Sequence, residues 1–291
     1  MTRDRLTLLG LVAATALSCT GPAGAALCRY GAARLTCEVP GARVHVFFQR
    51  GPGRFTQRVT AAPALKRWYW SLAHRWGRWG TGRWRRQYGR WMRELDGLLA
   101  RATPGGVEFP GAHCVDSVNG HAARVREIAP DVLLIFGGRK VDAAVLDSAG
   151  VALNIHCGRL PAYRGVKSAL FALANDEPEQ VGVTLHVAEA AIDAGPIVRW
   201  QSVAPQRAAS IPELFLSLYR TGWDVAVDAI KRLAEVGLET GAQVGAARMY
   251  RVGDLDARVL RSASSNFRKL REQAVSSAES ASLCLQLPAR P

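Results

Sequence analysis

Apolar residues in this chain fall into short runs separated by glycine, proline and charged breaks, and the spacing within each run assigns its element. Val44 to Gln49 is a brief apolar run bounded by Gly41 and the breaker Gly51, Pro52, Gly53, which predicts a strand. Asn119 to Ile128 has helical spacing and is stopped by Pro130, whereas Val132 to Phe136 is an unbroken β-branched and apolar run, as in a parallel strand covered on both faces. Ala143 to Leu146 fits a short crossover helix and Val151 to Ile155 the next strand. Val181 to Val187 and Ile197 to Val203 read as two further strands, an antiparallel pair around a loop that carries Asp193. Ile211 to Val236 is a long helix with Ser210 as N-cap and Pro212 just inside it. Strand, helix and strand in alternation predict a doubly wound, mostly parallel α/β sheet, which binds ligands outside the carboxyl ends of its strands.

Two segments depart from this rhythm. From Lys66 to Arg93 there are six tryptophans and nine lysines or arginines with no acid, so the region 64–102 reads as an aromatic, basic helical insertion. Its stripe either packs tryptophans on the sheet with arginines in water, or offers a surface to single-stranded nucleic acid or a membrane. The tail 261–291, rich in serine and alanine, reads as flexible, and 206–260 as the helical close of the domain that occupies 1–205.

At 291 residues and 48% hydrophobic content the chain can bury a large core without staples. A net charge of +14 draws polyanions, and a phosphorylated substrate, nucleic acid and an anionic membrane remain open on charge alone. Cysteines 19, 28, 37, 114, 157 and 284 lack zinc spacing and read as reduced thiols. Residues 1–25 fit either a secretory signal or a first strand over Leu6 to Leu9 followed by a loop at Thr20 to Gly24; the strand reading is preferred and implies a cytoplasmic protein.

The candidate chemistry lies at the end of the strand that begins at Val151. Asn154 and His156 are two apart and therefore face one side of it. The following loop is shaped by Pro161 and Gly165, and Asp193 comes next in a glycine-containing turn. An amide, an imidazole and a carboxylate together supply an oxyanion donor, a proton-transfer group and its partner, a set suited to acyl transfer without a metal. Taken singly, His156 reads as a satisfied structural histidine and Asp193 as a turn former. His186 is assigned to its strand, and Cys157 to packing.

Four segments in order, Pro130 to Gly137, Asn154 to Gly165, Val181 to His186 and Asp193 to Ile197, resemble the catalytic half of the folate-dependent formyltransferases. The resemblance implies a Rossmann-like sheet of the formyltransferase type with a helical insertion and a short helical tail. It also implies attack by a primary amine on the formyl carbon of 10-formyltetrahydrofolate, through a tetrahedral intermediate that collapses to formamide and tetrahydrofolate, with no metal. Asn154 would then donate to the oxyanion, His156 would stabilise it or relay a proton, and Asp193 would orient His156 and accept the amine proton. The folate pocket would be lined by Ile135, Phe136, Gly137, Gly138 and Arg139 and by Ala191, Ile192, Ala194, Gly195 and Pro196, with Tyr163, Arg164 and Gly165 toward the amine substrate. That substrate is expected to be small and phosphorylated or nucleotide-linked, not a nucleic acid. The loop at Thr20 to Gly24 lacks the family's usual serine and asparagine, so the amine is not carried over. A catalytically silent protein that binds a polyanion or membrane surface through the basic helix is the alternative.

Overall fold

A computed structural model of the chain describes residues 7–12, 43–49, 86–99, 101, 112–115, 117–138 and 140–285. Its strands are β1 (Thr7–Val12), β2 (Arg43–Gln49), β3 (Ala112–Val115), β4 (Val132–Phe136), β5 (Val151–His156), β6 (Arg164–Gly165), β7 (Gly182–Val187), β8 (Ile197–Ser202) and β9 (Met249–Tyr250). The main helices are α1 (residues 86–99), α2 (Ala122–Ile128), α3 (Ala143–Leu146), α4 (Ser168–Ala174), α5 (Ile211–Val236) and α6 (Ala257–Leu285). Seven strands form one sheet in the order β3-β2-β1-β4-β5-β7-β8, and β6 pairs with β9 in a second, two-stranded sheet. The first five are parallel neighbours; β7 then runs antiparallel to β5, and β8 antiparallel to β7.

The doubly wound fold follows from the period of two in its central strands. Val132, Leu134 and Phe136 of β4 enter one hydrophobic cluster while Leu133 and Ile135 enter another, so successive side chains feed opposite faces of the sheet. The larger cluster is filled by α4, α5 and part of α6, with Trp223 of α5 buried among them. The smaller lies under α2 and α3 through Val125, Val145 and Leu146. Ser210 caps α5 by accepting from the Glu213 amide, and Glu213 returns a bond to the Ala209 amide. Helix α2 ends at Ala129, in the left-handed region, one residue before the proline expected to stop it.

The apolar run near the amino terminus is β1, flanked by β2 and β4. The loop at Thr20 to Gly24 lies outside the described residues, as do 64–85 of the basic insertion. In α1, Tyr88, Leu95 and Leu99 are buried and Trp91 packs against the larger cluster, while Arg86, Arg90 and Arg93 face solvent. Within residues 86–99 the apolar side chains pack and the arginines face out; the other tryptophans of the stripe lie outside the described residues. No helix among the described residues is long and apolar enough to cross a membrane.

The flexible tail expected from residue 261 is instead a helix through Leu285. Leu260, Ala263 and Phe267 are buried and Leu270 packs beside them, a three- and four-residue spacing that presents one apolar stripe. Polar contacts fix it further: Asn266 Nδ2 donates to the Leu173 carbonyl at 2.9 Å, and Gln87 Nε2 to Ser264 Oγ at 3.2 Å. Serine and alanine dominate the composition and hide this stripe, because the residues that pack are few. Phe267→Ala should destabilise the protein by about 3–5 kcal/mol in urea denaturation, as for other buried aromatics; a change within 0.5 kcal/mol would restore the flexible-tail reading.

Candidate active site

The site grows from the register of β5 on β7. Asn154 pairs across the sheet with His186, and His156 with Thr184, so four polar side chains cluster at adjacent positions on two strands. Their strand face is that of Ala152, which packs in the smaller cluster. The chain leaves β7 with Ala188 on that same cluster, then curls back so that Asp193 returns over Asn154 and His156. Asp193 has a φ of 52°, a left-handed conformation that aspartate tolerates better than most residues.

Asp193 is the hub. One carboxylate oxygen accepts from the Gly165 amide at 2.7 Å and lies 3.4 Å from His156 Nδ1. The other accepts from Asn154 Nδ2 at 3.3 Å and lies 3.5 Å from His186 Nε2. His186 Nδ1 donates to the Val187 carbonyl at 2.8 Å, which leaves Nε2 of the neutral ring to accept from Asn154 Nδ2 at 2.9 Å. His156 Nε2 faces the Tyr163 carbonyl at 2.6 Å and must donate there, since a carbonyl only accepts.

Burial works against a charged carboxyl at Asp193, yet the neighbouring His156 and His186 rings and the Gly165 N–H outweigh it and hold the group at about 2. His156 is lowered, chiefly by burial, with Asp193 opposing the shift and His186 adding to it. The site thus sets a carboxyl group that resists protonation beside a ring that also resists it.

The three residues expected to act together are thus in contact. His186, assigned to its strand on sequence grounds, joins them, and so does Gln243, for which no sequence signal was read. Gln243 Nε2 donates to the carbonyls of Asp193 at 2.9 Å and Gly195 at 2.7 Å, while its Oε1 accepts from Arg164 at 2.7 Å. The available signal for His186 was the spacing of two from Thr184, matched against Asn154 and His156 on the partner strand.

Other expectations are corrected. Tyr163 is fully buried, with its hydroxyl held by Glu177 and Asn175, so its side chain braces the loop and does not reach a substrate. Ile135 and Phe136 place their side chains in the two cores; Phe136 meets Tyr219 edge-on at 5.2 Å, leaving only backbone to face a ligand. Gly137 and Gly138 follow with positive φ and are exposed, as a bare backbone loop requires. Arg139 lies outside the described residues. Ala191 and Ile192 are exposed, Ile192 by 50%, while Ala194, Gly195 and Pro196 are partly or wholly covered. Arg164 points its guanidinium at Gln243, and its buried Nε has no partner among the described residues. Gly165 has a φ of 92°, and a Cβ there would sit 2.0 Å from the Tyr250 carbonyl, so this position admits glycine alone. Cys157 is a free thiol pushed up to about 12 by burial, which fits packing. Among the described residues no cluster of His, Cys, Asp and Glu is arranged to hold a metal ion.

No family model matches this sequence. A methionyl-tRNA formyltransferase of Chlorobium chlorochromatii is 35% identical over 134 residues, which make up 45% of this chain and 42% of that protein. One from Chlorobium phaeovibrioides is 32% identical over 125 residues, or 43% and 39%. The matched stretch therefore spans less than half of these relatives. Among solved structures, a sugar N-formyltransferase from a Shewanella species superposes with a TM-score of 0.54 at 13% identity, covering 89% of this chain and 87% of that one. A glycinamide ribonucleotide transformylase from Symbiobacterium toebii gives 0.51 at 17% identity, covering 83% and 95%. The fold is that of the formyltransferases, and the resemblance to that family read from the motifs is present in curated sequences as well.

Both shifted groups bind protons less readily in the folded protein than their ordinary values of 6.5 for His156 and 3.8 for Asp193. Their contributions to stability are complete above those values and are lost as pH falls, first below 6.5 through His156 and then from 3.8 toward about 2 through Asp193. Urea midpoints measured from pH 7.5 downward should decline on this course, and His156→Gln should flatten the limb that starts near 6.5. An unchanged limb in that variant would refute the assignment.

Proposed function

We propose that this protein moves a formyl group from 10-formyltetrahydrofolate to the primary amine of a small substrate. The observation that carries this reading is the gathering of Asn154, His156 and Asp193 within hydrogen-bonding or ion-pair reach on one sheet face. A folate would supply the formyl group. Gly137 and Gly138 offer unobstructed backbone to its pterin, and Ile192, exposed beside the buried carboxylate, offers an apolar surface to a flat ring.

The proton balance assigns the roles. A new C–N bond forms as the amine attacks, the old C–N bond to the donor breaks, and the amine gives up a proton that must return to the departing nitrogen. Asp193, held at about 2, is a weak base for that proton, and neutral His156 is the stronger one. Since Nε2 already carries a hydrogen toward Tyr163, the proton is received at Nδ1, where the ionised Asp193 stabilises the resulting cation. This moves the acceptor role that the family resemblance implied for Asp193 onto the ring beside it. Asn154 has both amide protons engaged, one on His186 and one on Asp193. The Asp193 bond is the longer, and it is the one to be exchanged for the developing oxyanion once Asp193 pairs with a cationic His156.

The net charge of +14 supports a phosphorylated or nucleotide-linked amine over a neutral one. Incubation with 10-formyltetrahydrofolate and a panel of phosphorylated amines, following tetrahydrofolate release, tests the reading. Asn154→Ala should lower kcat by about 10²- to 10³-fold, the usual effect of removing an oxyanion donor. His156→Ala should lose turnover as well, and the acid limb of kcat/KM should fall below pH 6.5, in keeping with the lowered ring. Equal tetrahydrofolate release by wild type and His156→Ala would overturn the mechanism.

A further inference from the structure

The peptide unit between Tyr163 and Arg164 touches two parts of the molecule through its two polar ends. Its carbonyl accepts from His156 Nε2 at 2.6 Å, and its N–H donates to the Arg248 carbonyl at 2.9 Å. A trans peptide is planar, with these groups pointing in opposite directions, so fixing the N–H end fixes where the carbonyl end aims. The residue that holds the N–H leads directly into β9, far from the loop along the chain, and Val166 N also donates to that segment, at the Tyr250 carbonyl, at 3.0 Å.

The side chains reinforce that grip. Arg248 forks onto Glu177, its NH1 donating to Oε1 at 2.9 Å and its NH2 to the other oxygen, while its Nε reaches the Ala162 carbonyl at 3.3 Å. The same guanidinium lies 4.4 Å above the Tyr163 ring. Tyr163 OH donates to Glu177 at 2.7 Å and accepts from Asn175 Nδ2 at 2.9 Å, and the ring stacks on Tyr250 at 5.4 Å and 9°. Burial pushes this phenol up, so it remains a donor, and the Arg248 fork holds Glu177 down as an acceptor. Side chain and backbone of Arg248 thus clamp the residue whose carbonyl meets the His156 ring.

We propose that Arg248 and Glu177, acting through Tyr163, form a positioning device that places the hydrogen of neutral His156 on Nε2 and keeps Nδ1 free toward Asp193. Neither residue contacts the reacting groups; each acts by aiming one carbonyl. Without that carbonyl, Asp193 would draw the ring hydrogen to Nδ1, since a lone pair 3.4 Å from a carboxylate is repelled by it. The base would then be on the wrong nitrogen. This inference rests on the proposed catalytic role of His156 for its meaning in turnover, but ring protonation can be measured with no substrate, so the two can fail separately.

The test is ring-nitrogen NMR of histidine-labelled full-length protein, titrated for wild type, Glu177→Gln, Arg248→Met and Tyr163→Phe. Glu177 and Arg248 are partly exposed, so their variants have the better prospect of folding, and circular dichroism checks each one. In wild type the neutral His156 ring should carry its hydrogen on Nε2. In the variants part of the population should shift to Nδ1–H, and the protonation midpoint should fall by about half a pH unit, because the lost carbonyl bond favours the charged ring. His186, whose ring is held by Val187 and Asn154, should not move. Unchanged His156 signals in folded Glu177→Gln and Arg248→Met would overturn the proposal, as would shifts of the same size in both rings, which would mean a general loosening.

Discussion

A carboxylate at Asp193, only 9% exposed and ionised, is the constraint around which the rest of the active-site end is organised. An isolated charge in that position would be too unfavourable to persist, so the fold must bring donors to it. The donors are the Asn154 amide on β5 and the Gly165 N–H in the segment after it, while the rings of His156 and His186 on adjacent strands lie 3.4 and 3.5 Å away and line the anion. Each has its own support. Gly165 holds a backbone shape closed to side chains, and Gln243 fixes the Asp193 backbone through its carbonyl.

The same requirement explains which parts were legible in the sequence. Strand β4 and helices α3 and α5 have the bounds that their apolar runs indicate, because in each one run of side chains decides burial. Asn154, His156 and Asp193 were legible through spacing of two on a strand and a glycine-bearing turn. Tyr163 and Arg164 were not, since a tyrosine and an arginine in a loop look like surface groups until a distant strand covers them. That strand, β9, has only two residues and no periodicity to announce it. His186 lies in strand β7 as read, but its place beside Asp193 depends on the register of β7 against β5, and register is a property of pairs of strands. The carboxyl-terminal helix hid in its composition, where a few residues such as Leu260 and Phe267 pack among many serines and alanines.

The misreadings of Tyr163 and Arg164 share a cause that bears on how the site works. Both depend on contacts between the loop of residues 157–166 and segments outside it, namely Glu177, Gln243 and Arg248. The sheet supplies Asn154, His156 and His186 on rigid strands, but the carbonyl that orients His156 and the amide that binds Asp193 both belong to the loop. A two-residue strand pair alone is a weak hold for so short a loop. The ring stack of Tyr163, Tyr250 and Phe171 and the buried phenol add the surface that the pair lacks.

The loop therefore couples two electrostatic demands through one stretch of backbone. Gly165 donates an N–H to the anion, and two residues earlier Tyr163 presents a carbonyl to the base. A donor aimed at Asp193 keeps that group charged, and an acceptor aimed at His156 Nε2 keeps the other ring nitrogen available. If the loop turned over, both signs would be reversed: a carbonyl would approach the carboxylate and an N–H the ring. The pairing with β9 holds the present sense, because Arg164 N and Val166 N donate to the Arg248 and Tyr250 carbonyls. Backbone polarity in this loop is thus as much a part of the proposed chemistry as the three side chains it serves.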